Sequence, residues 1–257
     1  MSWRRGAFLA AVLTTLGLAG FFAGMVALLN LMPGSVGMAH FAEEHHRVHD
    51  VTLALLNAVT VVGMLAQLRA PLGHGAAQIM ALVPFGALLL ATAATNASVL
   101  SPPWLLVGAS AVVAMMFHPI GDPLRAFRGS RPDPVLMALV GAAALPLVAY
   151  AWTNIGLQRA GPSEHAIMGH YGFMAALCFT VILTALLASA RPDGSQLIAW
   201  VAAALAVALG LVSLAYPAAD SSLQTPWAAA AIVWGIAFAL SDRIRARSRS
   251  TYSGARP

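Results

Sequence analysis

The hydrophobic positions of the chain fall in long unbroken runs near 7–30, 51–68, 76–95, 103–118, 135–153, 167–189, 196–215 and 226–240, with short polar segments between them. Runs of about 18 to 24 apolar residues have the length a helix needs to cross a bilayer. They are too long and too numerous to form the core of a soluble domain of this size. The pattern therefore predicts an all-α membrane protein with about eight transmembrane helices, which puts both termini on the same side of the membrane.

Polar landmarks recur in the same order 120 to 124 residues apart. Asn30 ends the first run as Asn154 ends the fifth. Glu44-His45 answers Glu164-His165, His49 answers His170, and "SPPWLL" at 101–106 answers "QTPWAA" at 224–229. Fixed-period self-similarity signals an internal repeat. Four helices per half make it a parallel repeat about an axis along the membrane normal. The expected division is a first four-helix half over 1–117, a linker over 118–134, a second half over 135–243 and a basic tail over 244–257.

Composition adds the environment. Of 257 residues 60% are hydrophobic and only 9% charged, with a mean hydropathy of +0.79. All 14 basic residues are arginine, which with the alanine, glycine and proline content suggests a GC-rich bacterial genome and so a bacterial cytoplasmic (inner) membrane. Cys178 is the single cysteine and lies inside a run, so there is no disulfide framework. On the eight-span reading, only Arg47 and Arg159 fall on the face opposite the other arginines, and the positive-inside rule sets both termini in the cytoplasm. The opening "MSWRRGAFLAAVLTTLGLAG" also has the form of a signal peptide; the repeat needs it as a retained first span. The tail "SDRIRARSRS" is expected on anionic lipid headgroups, so the net charge of +5 calls for no nucleic-acid partner. The small residues of the spans permit close packing within the chain, in a homo-oligomer or against another membrane protein.

Candidate chemistry concentrates in "HFAEEHHRVHD", 40–50, with four histidines and three carboxylates in eleven positions. On the predicted topology, His40, His45, His46, His49, His165 and His170 are extracytoplasmic, at equivalent places in the two halves. His45 and His49 stand one helical turn apart, a spacing that lets two side chains reach one metal ion. The candidate metal ligands are His45, His46, His49, His165 and His170, with His165 in a loop and His170 facing inward from the sixth span. His49 and His170 are expected to meet across the pseudo-twofold, with His45 or His46 completing the set. Glu44 and Glu164 are expected to orient imidazoles or accept protons. His40, His74 and His118 are read as structural. Deeper on the same faces lie Met174 and Cys178, and Asn57, Thr60, Met64 and Gln67; imidazole, thioether and thiol suit copper or haem iron.

The motif "EEHHR", 43–47, at the start of a second span in a duplicated eight-span chain, resembles haem A synthase. The resemblance implies two four-helix halves holding haem through paired histidines near the outer face. Glu43 would be the catalytic carboxylate, His46 a haem ligand and His170 its counterpart. "MGHYGFMA", 168–175, also resembles the Met-His-Tyr motif of membrane sensor domains proposed to bind copper.

Three functions remain open on these residues: a haem- or metal-dependent (copper, iron or zinc) membrane oxidoreductase or other enzyme, a permease for a transition-metal ion or small solute, and a metal-delivery or assembly subunit. Between 51 and 68 and between 171 and 190 there is no Asp, Glu, His, Lys or Arg. Transporters usually keep such groups near the midplane, so a fixed outer site fits the pattern better.

Overall fold

A computed structural model describes residues 2–31, 46–96 and 99–253. Its elements are helices, with no strand among the described residues. Among the described residues the nine α-helices are α1 (Ser2–Leu31), α2 (Arg47–Arg69), α3 (Gly75–Thr95), α4 (Pro102–Met116), α5 (Pro134–Arg159), α6 (Glu164–Ile167), α7 (His170–Ser189), α8 (Ser195–Ala215) and α9 (Thr225–Ser253). Seven of them, all but α4 and α6, are long and apolar enough to cross a membrane. The chain is thus a multi-pass helical membrane protein.

The run expected as a fourth span gives only the 15 residues of α4, about 22 Å at 1.5 Å per residue against a hydrocarbon core of about 30 Å. Its limits are chemical. Pro102 and Pro103 open it, where a proline costs no helical hydrogen bond. It stops just ahead of His118-Pro119, where the proline ring disfavours helical backbone in the residue before it. Elsewhere, polar side chains set the starts. Asp133 accepts from the amides of Val135 and Leu136 at 3.1 and 3.3 Å to cap α5. Ser163 accepts from Ala166 to cap α6.

α7 is the most enclosed span and packs against α2, α3, α5 and α8. Leu56, Met80, Leu88, Leu136, Met174, Leu177, Ile198, Leu209 and Phe238 form the main core around it, while Phe8, Val12 and Met64 join α1 and α2 to α4 in a smaller cluster. The outer helices turn large apolar groups outward, Leu145, Trp152 and Val233 among them, which is the surface a lipid chain covers. Helices meet through small residues. A Cβ on Gly63 would stand 2.7 Å from the carbonyl oxygen of Ala77 in α3. On α8 a Cβ at Gly210 would lie 2.5 Å from Ala228 O, and on α9 one at Gly235 would lie 2.7 Å from Ala203 O. Such glycines let backbones approach where lipid supplies no hydrophobic drive between helices.

The two ends of the bundle differ. At one end lie the first turn of α2, the end of α5, α6, the start of α7 and the α8–α9 loop. At the other, Trp3 and Phe8 of α1 touch Phe117 and His118. There Arg191 is ion-paired to Asp242 and lies 3.8 Å from Asp133, and Arg245 reaches Asp133 at 3.2 Å. The beginning of α1 and the later turns of α9 therefore share this arginine end. The expected basic tail continues α9 as helix to Ser253.

Candidate metal centre

His46 occupies the N-cap of α2 and His49 stands one turn inside it, so both project from one face. Gly169, at φ +76°, turns the chain between α6 and α7, a backbone conformation that glycine enters without steric cost. That turn brings His165 of α6 and His170, the first residue of α7, back to back. Nδ1 of His165 lies 3.1 Å from Nδ1 of His170. Because α2 packs on α7, the two pairs meet. One ring nitrogen from each of His46, His49, His165 and His170 lies within 4.8 Å of the others. The ring centroids of His46 and His165 are 4.5 Å apart, and those of His49 and His170 are 4.9 Å apart with the planes stacked at 27°. His46 and His49 are buried, whereas His165 and His170 are partly open to the exterior.

A hydrogen-bonded chain fixes His49. Its Nε2 lies 2.9 Å from Ser221 Oγ, and that hydroxyl donates to Asn154 Oδ1 at 3.1 Å. The Asn154 amide is held by Tyr150 O at 3.0 Å, and Tyr150 donates its hydroxyl to the backbone oxygen of Ser221. With the serine proton spent on Asn154, Ser221 accepts from His49, so Nε2 carries the proton and Nδ1 keeps a lone pair. That Nδ1 is buried without a hydrogen-bond partner. Asp220 stands at the open side, 3.8 Å from Nε2 of His165 and 3.5 Å from the Tyr171 hydroxyl. Beneath the imidazoles, Thr52 donates to Met174 Sδ at 3.1 Å, and Cys178 is fully buried one turn deeper on α7.

Of the residues expected from sequence, these four histidines are brought together. Glu164 lies exposed at the start of α6, outside the four-residue group. Glu43, Glu44, His45 and His40 lie outside the described residues. His165 sits on a one-turn helix where a loop was expected. Sequence reasoning did not find Ser221 or Asp220, nor the roles of Tyr150 and Asn154. The signal for the first two was the polar run "DSS" at 220–222, on the loop that joins the seventh and eighth apolar runs at the histidine end.

His118, read as structural, sits at the arginine end. Its Nε2 donates to Gln67 Oε1 at 2.8 Å and its Nδ1 receives the Ile120 amide at 3.4 Å, while the Gln67 amide donates to His74 O. Burial pushes its pKa down to about 4. Comparison with protein-family models, with curated proteins and with solved structures gives no match.

Proposed function

We propose that the chain is a bacterial inner-membrane protein that holds a single transition-metal ion at its extracytoplasmic end through His46, His49, His165 and His170, as a fixed redox or enzymatic centre. The observation that carries this reading is the convergence, within 4.8 Å, of four imidazoles from segments more than a hundred residues apart in sequence. A tetrahedral ion with metal–nitrogen bonds of about 2.0–2.1 Å needs neighbouring nitrogens about 3.3 Å apart. The His165 and His170 nitrogens already stand at 3.1 Å, so an ion replaces the proton shared between them. His49 Nδ1 supplies a lone pair held by the Ser221–Asn154–Tyr150 chain, and Asp220 orients His165, the part expected of Glu44 or Glu164. An all-imidazole set with a thioether beneath suits copper or zinc; copper supplies one-electron chemistry and zinc a Lewis acid.

The resemblance to haem A synthase supports haem as an alternative cofactor, but rings in mutual contact leave little room for a porphyrin between them, and the geometry favours a bare ion. A permease reading draws on the buried stripe of Asn57, Thr60 and Gln67. Their donors are spent on carbonyls, Asn57 on Leu53, Thr60 on Ala81 and Gln67 on His74. Thr60 and Gln67 tie α2 to α3 and its N-cap, Asn57 bonds back to its own helix, and no charged residue lies between 51 and 68, which favours the fixed site.

The packing order supports the duplication. α1 packs on α2 as α5 packs on α7, α2 on α3 as α7 on α8, and α2 meets α7 directly. With α4 counted as a short eighth segment, both termini share the arginine end, and the positive-inside rule makes that end cytoplasmic. Elemental analysis and a visible spectrum of the purified chain test the site. Near-stoichiometric copper or zinc, lost in His49→Ala/His170→Ala, is expected. A Soret band would turn the assignment to haem, and a metal-free wild type indistinguishable from the variant after copper and zinc loading would overturn it.

A further inference from the structure

At the arginine end, away from the histidines, a cavity of about 450 Å³ opens among the turn after the 3₁₀ segment Pro123–Phe127 and the α7–α8 connection. Arg128, Arg131 and Arg191 line it, with Ser130 and Gly129 on the turn and Asp193 as the one carboxylate. Arg191 is built in. Its side chain is 5% exposed. It is anchored on Asp242 and Asp133, yet its Nη2 is buried without a hydrogen-bond partner. The residue adopts left-handed backbone at φ +59°, uncommon outside glycine, ahead of Pro192. Arg128 and Arg131 are exposed and make no side-chain ion pair among the described residues. Gly129, at φ +78°, lies on the turn from which both residues line the cavity.

The charge of Arg191 is already matched by Asp242 and Asp133, which leaves Arg128 and Arg131 on one turn with only Asp193 nearby in the lining, an excess of positive charge that favours an anion there. The volume is many times what a water occupies, about 30 Å³. Guanidinium forks match phosphate oxygens two at a time, whereas halide offers them no such geometry. Leu124 and Val135, both exposed, bracket the turn in sequence with apolar surface.

We propose that this cavity binds a phosphate group, Arg128 and Arg131 gripping its oxygens and Arg191 backing them. The group comes from a phospholipid headgroup of the surrounding leaflet or from free phosphate.

The test uses the full chain in detergent, with binding followed by native mass spectrometry and thermal unfolding. One arm titrates phosphatidylglycerol against diacylglycerol, which has the same acyl chains and no phosphate, the other inorganic phosphate. Saturable binding of one probe is expected, weakened about tenfold in Arg128→Gln/Arg131→Gln, since each guanidinium contact to phosphate is charge-assisted. Asp193→Asn, which removes the carboxylate, is expected to tighten binding, an effect no misfolded variant mimics. The matched charge loss Arg243→Gln/Arg247→Gln on α9 is expected to leave it within about twofold. Phosphatidylglycerol binding that millimolar phosphate fails to displace assigns the lipid; phosphate binding alone assigns the free ion. Three results would overturn the proposal: phosphatidylglycerol binds no better than diacylglycerol and inorganic phosphate does not bind, the cavity variant binds like wild type, or the α9 control loses as much as the cavity variant.

Discussion

The four histidines differ in what holds them, and so in what their loss does. Ser221→Ala leaves all four imidazoles in place but removes the acceptor of the His49 Nε2 proton. Metal affinity is expected to fall about 10- to 100-fold while stoichiometry at saturation is kept, read by competition with a chelator. His49→Ala abolishes stoichiometric binding. At the other end, the lowered pKa of His118 has a definite sign. The unfolded chain takes up a proton near 6.5 and the folded chain only near 4. Stability from this residue is therefore full above about pH 6.5, declines as pH falls to about 4 and then levels off. Thermal unfolding of His118→Gln in detergent should lose that portion of the acid sensitivity. That His49 belongs to a histidine cluster was legible because the cluster is local in the chain, but helical spacing pairs it with His45, which lies outside the described residues, and it is His46 that stands in the group with it. Ser221 and Asp220 were not legible, because nothing in the chain near them says which histidine they will meet.

At the scale of elements, the apolar runs marked the spans, since bilayer crossing is a matter of length and hydropathy. The shortness of α4 is equally physical: hydropathy counts Phe117 and its neighbours as membrane, while the helix ends at Met116 ahead of Pro119. Glycine contacts decide how closely the spans pack. Gly63→Val places a branched side chain against Ala77 O and Ala81, and should cost about 1–3 kcal/mol as lowered thermal stability, whereas Gly86→Ala, which meets nothing within 4 Å, should not. Asp133 has two duties, capping α5 and pairing with Arg245 and Arg191. Burial works against its charge, but the amides of Leu136 and Val135 and the Arg245 guanidinium hold its carboxyl below the usual range. Its contribution is present above the ordinary carboxylate value and is lost as pH falls through the lowered one. Both Asp133→Asn and Asp133→Ala leave the buried Arg191 short of a counter-charge, but Asn keeps a capping oxygen, so Asp133→Ala should destabilise more by about 1 kcal/mol and cost about 3 kcal/mol or more in all in chemical unfolding.

For the whole molecule, the packing of α2 against α7 brings two histidine pairs into one cluster that could hold a metal ion. Metal is expected to act as a staple: at about 100 times its dissociation constant, copper or zinc should add about 2.7 kcal/mol of stability. That appears as a rise in the unfolding temperature that His49→Ala/His170→Ala does not show. On the proposed duplication such a meeting is expected, because equivalent helices of a parallel repeat face each other across its axis. Which atoms converge depends on rotamers and on the Gly169 turn, and neither leaves a mark in the spacing of landmarks.

The reach of Ser221 to His49 also bears on biosynthesis. The first two imidazoles emerge from the ribosome early, the next pair after more than a hundred further residues, and the loop that orients His49 only once α8 has been made. A nascent chain paused before that loop already carries all four histidines of the proposed centre but not the group that orients His49. Fragments ending before residue 216 should therefore hold an ion at least about 10- to 100-fold more weakly than the full chain, and tight loading is expected only after the second half is inserted.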